Sequence, residues 1–212
     1  MVIISWGRGQ AVSKKHDVRI WMGGIRADLA HIRAHRLVDF EDSDVLIRDQ
    51  QIGGVIMSVG SPTEVAAKLN DFQEHSQWPL LVAADLETGA GFRMRGAVQM
   101  PGTIELGGAT DFPSLMALGA SGDTRLAYEM GRVTAVEARA VGIHVPFAPV
   151  LDVNNNPDNP IINVRSFGAD PEQVARLGTA FVRGIQENGG IATGKHFPGH
   201  GDTGTDSHLA LP

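Results

Sequence analysis

The 212-residue sequence contains no cysteine, which excludes a disulfide framework and any zinc site built on thiolates. It also lacks an excess of positive charge, because 18 Lys and Arg stand against 24 Asp and Glu and the formal net charge is -6. Binding to a phosphate backbone needs a basic surface, so we expect no nucleic acid partner. No apolar run approaches the roughly 20 residues that cross a bilayer, so we expect no membrane partner.

The first fifty residues differ in character from the rest of the chain. They open with a short apolar run, residues 1–6, that no charged segment precedes. This is not the pattern of a secretory signal, and we expect a cytoplasmic location. Residues 1–50 are charge-rich and irregular, and we interpret them as one or two helices. A globular domain with a substantial core is predicted for residues 51–212, since 42% of the sequence is hydrophobic.

From Ile52 onward, short apolar runs alternate with longer amphipathic ones. This alternation is typical of strand-helix units around a parallel sheet, so the predicted fold class is α/β. The predicted strands are residues 54–59, 80–85, 144–151 and 190–195. The predicted helices are residues 61–75, 125–141 and 170–189. In the second of these helices we expect one face to hold Leu126, Met130, Val133 and Val136.

The first and third predicted helices carry sequence signals for their ends. Ser61 can cap the first helix, Pro62 suits its first position, and Glu64 completes a capping box. The segment that begins at Asp170 repeats this arrangement, and Gly189 follows at the end of the third helix.

Polar side chains collect where three of the apolar runs end. The carboxyl ends of parallel strands meet at one edge of a sheet, where barrel and open-sheet active sites are built. Each polar residue alone has the alternative role of capping a helix, but three sets in register favour a shared site. The sets are Asp85 with Glu87, Asp152 with Asn154, and Lys195 with His196.

Residues 195–208, KHFPGHGDTGTDSH, carry the densest set of ionisable groups. Pro198 and three glycines disfavour a helix, so these groups lie on a loop that can cover a pocket. Asp206 and His208 are two residues apart, a spacing that lets the carboxylate set the imidazole tautomer and stabilise its protonated form. Such a pair is suited to general acid/base catalysis. The alternative is a solvated loop without a catalytic role.

Three other patterns suggest binding sites of other kinds. Residues 189–196 approach a phosphate-binding loop, but His196 replaces the required Ser or Thr. The segment that begins at Asp152 imitates a calcium loop, but Pro157 stands where the turn needs glycine. A metal-dependent hydrolase with imidazole ligands remains an alternative. Its ligands would be His196, His200 and His208, whereas our main prediction includes no metal and no cofactor.

The loop sequence resembles a known family. Residues 195–203, KHFPGHGDT, followed by the triplet DSH at residues 206–208, resemble the signature of family 3 glycoside hydrolases, specifically of their β-N-acetylhexosaminidase branch. Similar stretches are LVAADLETG at residues 81–89, FAPVLDVNNNP at 147–157 and INVRSFGADP at 162–171. Together they cover about residues 52–212, and the resemblance implies a (β/α)8 barrel of the TIM type, incomplete in this chain.

The resemblance also implies an activity. Members of this branch are retaining, exo-acting hydrolases that remove terminal β-linked N-acetylglucosamine. The expected partner is therefore a carbohydrate, including fragments derived from peptidoglycan in cell wall recycling. The catalytic acid/base pair maps onto His208 and Asp206. The implied substrate-binding residues are Asp85, Arg165, Lys195 and His196.

A retaining glycosidase also needs a carboxylate that forms the glycosyl-enzyme intermediate. The resemblance implies that this aspartate lies outside the present chain, and we expect residues 1–212 to be inactive alone. Two functions other than hydrolysis remain as alternatives. One is a β-glycoside phosphorylase, since a histidine does not repel an attacking phosphate as a carboxylate would. The other is a sugar-binding module without catalysis.

Overall fold

The computed structural model describes residues 2–4, 19–22, 25–28, 47, 52–96, 98–100 and 104–211. In chain order the strands are β1 (Val2–Ile4), β2 (Arg19–Met22), β3 (Ile25–Asp28), β4 (Gly54–Met57), β5 (Leu81–Ala84), β6 (Val98–Met100), β7 (Ile104–Leu106) and β8 (Val145–Pro146). The central sheet has the order β1-β4-β5-β8, while β2-β3 and β6-β7 form two-stranded antiparallel sheets. In the central sheet β4, β5 and β8 are parallel, as predicted.

The fourth predicted strand, residues 190–195, is an extended segment and not a regular strand. It lies parallel to residues 144–151 through hydrogen bonds from Ile191 N to His144 O (2.9 Å), Thr193 N to Ala148 O (3.1 Å) and Lys195 N to Pro149 O (3.1 Å). The third predicted strand is regular only at β8. Pro149 lies in the irregular part that follows β8, where it has no N–H to donate to a ladder.

The helices expected within residues 1–50 are wrong for most of what the structure describes there. β1 pairs antiparallel with β4, and β2 and β3 pair with each other. The pairing of β1 joins segments some fifty residues apart, which no local pattern reveals. Ile47 is helical and buried in the core. The domain limits at residues 1–50 and 51–212 stay a prediction.

The α-helices whose two ends both lie within the described residues are α1 (Pro62–His75), α2 (Leu115–Ser121), α3 (Thr124–Ala140) and α4 (Pro171–Gln186). The start of α1 is confirmed. Ser61 Oγ accepts a hydrogen bond from Glu64 N at 3.4 Å, and the Glu64 carboxylate accepts one from Ser61 N at 3.0 Å. Asp170 caps α4 by accepting from Glu172 N at 3.1 Å. The short helix α2 was not predicted from the sequence.

Of the four apolar residues expected on one face of α3, Met130 is buried but the others do not form the buried side with it. Leu126 and Val136 are 51% and 47% exposed, and the buried side of α3 is formed largely by small residues around Met130. The reason is the close packing of α3 against α4. A Cβ atom on Gly131 would overlap the carbonyl oxygen of Phe181, so only a residue without a side chain fits there.

Two apolar clusters stabilise this arrangement. One joins β4, β5 and α1 and includes Phe72, Leu86 and Met94, and the other lies between α3 and α4 and includes Phe167 and Phe181. They pack around the parallel strands whose carboxyl ends carry the polar side chains. Within the described ranges, no helix has the length and apolar character needed to cross a membrane.

Candidate active site

A pocket of about 710 Å³ opens at the carboxyl ends of β5 and β8. Of the six residues that the sequence proposes for the site, all but Asp206 line this pocket, and Asp206 is bonded to one that does. The ionisable residues in its wall are Asp85, Glu87, Arg93, Arg165, Lys195, His196, His200 and His208. Polar residues from distant parts of the chain therefore meet where the strand pattern predicts.

Carboxylates and cations form a continuous network on the pocket floor. Lys195 Nζ lies 2.7 Å from Asp85 Oδ1 and 2.6 Å from Glu87 Oε1. Arg93 Nη2 donates to Asp85 Oδ2 at 2.9 Å. The Lys195–Asp85 contact joins residues 110 positions apart. Arg93 was not singled out from the sequence, although it follows the same strand as Asp85.

Glu87 is the centre of this network and is only 7% exposed at its side chain. It accepts from Arg165 Nε at 2.9 Å and from Arg165 Nη2 at 2.8 Å. Paired N–H groups on one carboxylate give a strong and directional contact. The sequence placed Glu87 at the sheet edge but gave it no role. Its position two residues after Asp85 was the sequence feature that could have indicated a role in the site.

Both floor carboxylates are held in the ionised form. Burial alone would raise the pKa of Asp85, but the hydrogen bond and charge of Lys195 and the charge of Arg93 outweigh it, and the pKa lies below its ordinary value. Burial likewise opposes ionisation of Glu87, yet the hydrogen bonds from Arg165 and Lys195 bring its pKa below the ordinary value. Ionised carboxylates only accept hydrogen bonds, so this floor offers acceptors beside cationic donors.

The network leaves few hydrogen-bonding positions for a ligand. Each oxygen of Asp85 already accepts from one cation and retains a second lone pair. Of the three N–H groups of Lys195, two point at carboxylates. Arg165 uses four of its five on Glu87, on Ile161 O and toward His196. From these three residues a ligand can use two acceptor positions on Asp85 and one N–H each from Lys195 and Arg165.

Asp152 orients the imidazole of His196. This carboxylate is fully buried and accepts from His196 Nδ1 at 2.5 Å, from His196 N at 3.1 Å and from His200 N at 2.5 Å. Arg165 Nη2, which can only donate, lies 3.3 Å from His196 Nε2. In the neutral ring the proton therefore sits on Nδ1, and Nε2 is an acceptor. The sequence placed Asp152 at the sheet edge without assigning this contact.

Burial alone would raise the pKa of Asp152, but the hydrogen bond from the His196 side chain and the backbone N–H of His200 lower it below the ordinary value. Asp152 therefore stays charged and acts as an acceptor for both segments of the loop.

His208 and Asp206 contact each other, as their spacing predicts. His208 Nδ1 lies 2.7 Å from Asp206 Oδ1, which also accepts from His208 N at 2.9 Å. The backbone N–H of His208, followed by its side chain, holds the pKa of Asp206 below its ordinary value. The His208 side chain is 72% exposed, so its Nε2 is accessible from the pocket that it lines.

The geometry does not support the alternative metal site. The imidazoles of His196, His200 and His208 are each hydrogen-bonded to a different partner, and the rings of His196 and His200 lie 6.3 Å apart at nearly right angles. Among the residues that the structure describes, no group of three or more His, Asp and Glu side chains has the arrangement of a metal site.

Known proteins are similar to this chain in sequence. Beta-hexosaminidase A of Pseudoalteromonas piscicida is 36% identical over 211 residues, which cover 92% of this chain and 33% of that protein. A beta-hexosaminidase of Neisseria meningitidis serogroup C is 37% identical over 191 residues, which cover 87% of this chain and 50% of the relative. The chain thus spans half or less of the length of these relatives.

Solved structures are similar to this chain in both sequence and fold. A family 3 beta-N-acetylglucosaminidase from Paenibacillus is 45% identical with a TM-score of 0.68, over 79% of this chain and 31% of that one. NagZ from Neisseria gonorrhoeae is 33% identical with a TM-score of 0.66, over 83% of this chain and 52% of that one. The sheet and its helices form part of a TIM-type α/β barrel. Residues 25–212 match the model of the glycosyl hydrolase family 3 N-terminal domain, and the chain therefore belongs to this family.

Proposed function

We propose that the protein is a retaining, exo-acting glycosidase that removes terminal β-linked N-acetylglucosamine from a carbohydrate. The observation that carries the proposal is one pocket that holds both a carboxylate-cation floor and an accessible Asp206–His208 pair. The names of the relatives, beta-hexosaminidase and beta-N-acetylglucosaminidase, support this substrate. One NagZ structure is a complex with N-trifluoroacetyl-D-glucosamine, which supports an N-acylated sugar.

In this proposal the floor binds the hydroxyl groups of the terminal sugar. Asp85 accepts from two hydroxyls through its remaining lone pairs, while Lys195 and Arg165 each donate one N–H to a sugar oxygen. His196 lines the pocket beside them, with Nδ1 bonded to Asp152 and Nε2 facing Arg165, so a sugar hydroxyl that binds Nε2 replaces the Arg165 contact. Acceptors and donors that alternate over a few ångströms match the hydroxyl pattern of a pyranose and do not match an apolar ligand.

The acid/base role falls to His208. Its Nδ1 is bonded to Asp206, so Nε2 is the nitrogen that can deliver a proton to the glycosidic oxygen and later remove one from water. The carboxylate stabilises the imidazolium and fixes the ring orientation. The proton on Nε2 passes to the departing oxygen as the bond to the anomeric carbon breaks.

A retaining mechanism further needs a nucleophilic carboxylate close to the anomeric carbon. The carboxylates of the pocket floor, Asp85 and Glu87, are both held by cations, and Asp152 is buried under His196. These contacts make them poor candidates for attack. In line with the family resemblance, we propose that the nucleophile is an aspartate outside residues 1–212. A peptidoglycan-derived substrate and a cytoplasmic location stay predictions.

A β-glycoside phosphorylase is the second candidate. A solved beta-glucoside phosphorylase, BglX, is 32% identical with a TM-score of 0.67, over 77% of this chain and 28% of that one. A single assay separates the candidates in a polypeptide that extends past Pro212 to include the nucleophile. The protein is incubated with a β-linked N-acetylglucosamine disaccharide, with and without phosphate. Free N-acetylglucosamine in both samples supports hydrolysis, its 1-phosphate supports phosphorolysis, and binding without any product supports a sugar-binding module.

Replacing Asp85 with alanine is expected to weaken N-acetylglucosamine binding by about 1.5 to 3 kcal/mol, the range for hydrogen bonds to charged groups. Isothermal titration calorimetry on the 212-residue chain measures this change. Asp111→Ala is the matched control, because Asp111 is also paired with an arginine, Arg95, but does not line the pocket. Equal affinities of the two variants would contradict the role of Asp85.

Arg165→Ala is expected to weaken sugar binding by a similar amount, about 1.5 to 3 kcal/mol, and also to lower the melting temperature. The second effect follows because Arg165 pairs with the buried Glu87. Calorimetry and thermal unfolding on the same sample separate the two effects. A lowered melting temperature with unchanged affinity would mean that Arg165 is structural only.

A further inference from the structure

The acid/base pair lies on a small turn, residues 204–211, that is stabilised mainly by its own hydrogen bonds. Leu209 N and Ala210 N both donate to Asp206 O, at 3.0 and 3.1 Å, and His208 N donates to the Asp206 side chain. The side chains of Leu209 and Leu211 are exposed. The internal bonds keep Asp206 and His208 together, but they do not determine where the turn lies relative to the pocket.

The segment in front of this turn is firmly attached to the barrel. Asn159 Nδ2 donates to His200 O at 2.6 Å and to Thr203 O at 3.0 Å. The buried carboxylate of Asp152 accepts from His200 N at 2.5 Å. A Cβ atom on Gly201 would overlap the backbone of Val153, which shows how closely the two segments approach. His200 therefore has a fixed position, with only 8% of its surface exposed.

One hydrogen bond connects the two parts. His200 Nε2 lies 3.0 Å from Ser207 Oγ, and Ser207 stands between Asp206 and His208 in the sequence. Among the residues that the structure describes, it is the hydrogen bond that joins residues 204–211 to the rest of the chain. A displacement of Ser207 would move both members of the acid/base pair, because they are its neighbours.

The hydrogen positions of this bond follow from its surroundings. The hydroxyl of Thr203 donates its single proton to His200 O at 3.1 Å. It therefore accepts from His200 Nδ1, which also lies within hydrogen-bonding distance. In the neutral imidazole the other nitrogen, Nε2, then carries no proton and accepts from the hydroxyl of Ser207. The contact has a defined donor and acceptor, and a methyl group in place of the Ser207 hydroxyl cannot form it.

We propose that His200, acting through Ser207, is a positioning residue that determines where the Asp206–His208 pair lies over the pocket. The inference rests on the proposed acid/base role of His208. His200 and Ser207 hold the proton donor in line with the glycosidic oxygen and transfer no proton themselves. The loss of this bond misplaces the acid while the sugar-binding floor stays intact.

The test is Ser207→Ala in a polypeptide that includes the nucleophile. The value of kcat/KM, which reports formation of the glycosyl-enzyme, is expected to fall roughly tenfold on a substrate with an alkyl-type leaving group, the size of one lost hydrogen bond in the transition state. A nitrophenyl leaving group needs no proton, so kcat/KM on that substrate is expected to change less than about twofold. KM is expected to stay constant, because Asp85 and Lys195 do not move.

Two further variants and one structural measurement complete the test. Ser207→Thr retains a hydroxyl and is expected to restore most of the rate on the alkyl substrate. Thr205→Ala lies on the same exposed turn and is expected to have no effect. Hydrogen exchange of the 212-residue chain, followed by mass spectrometry, is expected to be faster in residues 204–211 of Ser207→Ala. Exchange in α4 is expected to stay unchanged.

Equal loss on both substrates would overturn the inference, and so would unchanged kinetics combined with unchanged exchange in residues 204–211. Failure of the proposed function has a different result. In that case His208→Ala itself shows no dependence on the leaving group, which overturns both the acid/base role and the inference. If only Ser207→Ala lacks this dependence while His208→Ala shows it, the acid/base role stands and the positioning role of His200 is wrong.

Discussion

His208→Ala is expected to lower the hydrolysis rate on substrates with poor leaving groups by a factor of roughly 10² to 10⁴, the usual contribution of a general acid. The measurement needs a polypeptide that includes the nucleophile. Binding of N-acetylglucosamine is expected to change little, because the pocket floor is formed by Asp85, Arg165 and Lys195. Asp206→Asn is expected to change the rate in the same direction, since the imidazole loses the charge that stabilises its protonated form.

The leaving group identifies the step that His208 assists. Nitrophenolate departs without a proton, so the loss in kcat/KM, which reports formation of the glycosyl-enzyme, is expected to be much smaller on nitrophenyl glycosides than on alkyl glycosides. The ratio of the two kcat/KM values is therefore the diagnostic quantity. A metal ligand would give a different result, because its removal would lower metal content and slow all substrates alike. Equal losses on both substrate types in a folded variant would show that the assignment of His208 is wrong.

Glu87→Ala is expected to lower the free energy of unfolding by about 3 kcal/mol, the lower end of the range for removing one partner of a buried ion pair. The substitution leaves the guanidinium of Arg165 and the ammonium of Lys195 without the carboxylate between them. Denaturant unfolding of the 212-residue chain measures the change. The matched control is Glu129→Ala, which breaks an exposed pair with Arg132 and is expected to cost less than about 1 kcal/mol.

The pH dependence of the stability loss in Glu87→Ala tests whether this loss is electrostatic. The pKa of Glu87 in the folded protein lies below its ordinary value of 4.5, so the native state stabilises the ionised carboxylate. This contribution is complete above the ordinary value and is lost as the pH falls through the folded pKa. The stability difference between the original chain and Glu87→Ala is therefore expected to be largest at neutral pH and to shrink in acid. A difference independent of pH would assign the effect to packing.

Much of the site was predictable from the sequence because the relevant interactions are local or follow from strand geometry. The caps at Ser61 and Asp170 and the contact between Asp206 and His208 join residues within three positions of each other. The meeting of Asp85 with Lys195 follows from the edge at which parallel strands end. These parts required only the chemistry of short segments and the rule that buried apolar runs form the sheet.

Only the tertiary structure decided which of the polar residues pair. Glu87 lies 78 positions from Arg165, and Asp152 lies 44 positions from His196, so nothing in either segment identifies its partner. The buried side of α3 also depends on tertiary packing, since its close contact with α4 requires Gly131 where a local pattern favours larger apolar side chains. Partner choice depends on distances of a few tenths of an ångström between groups that the whole fold positions. The sequence by itself therefore determined which chemical groups reach the pocket, and the packing of the barrel determined which of them hold one another in place.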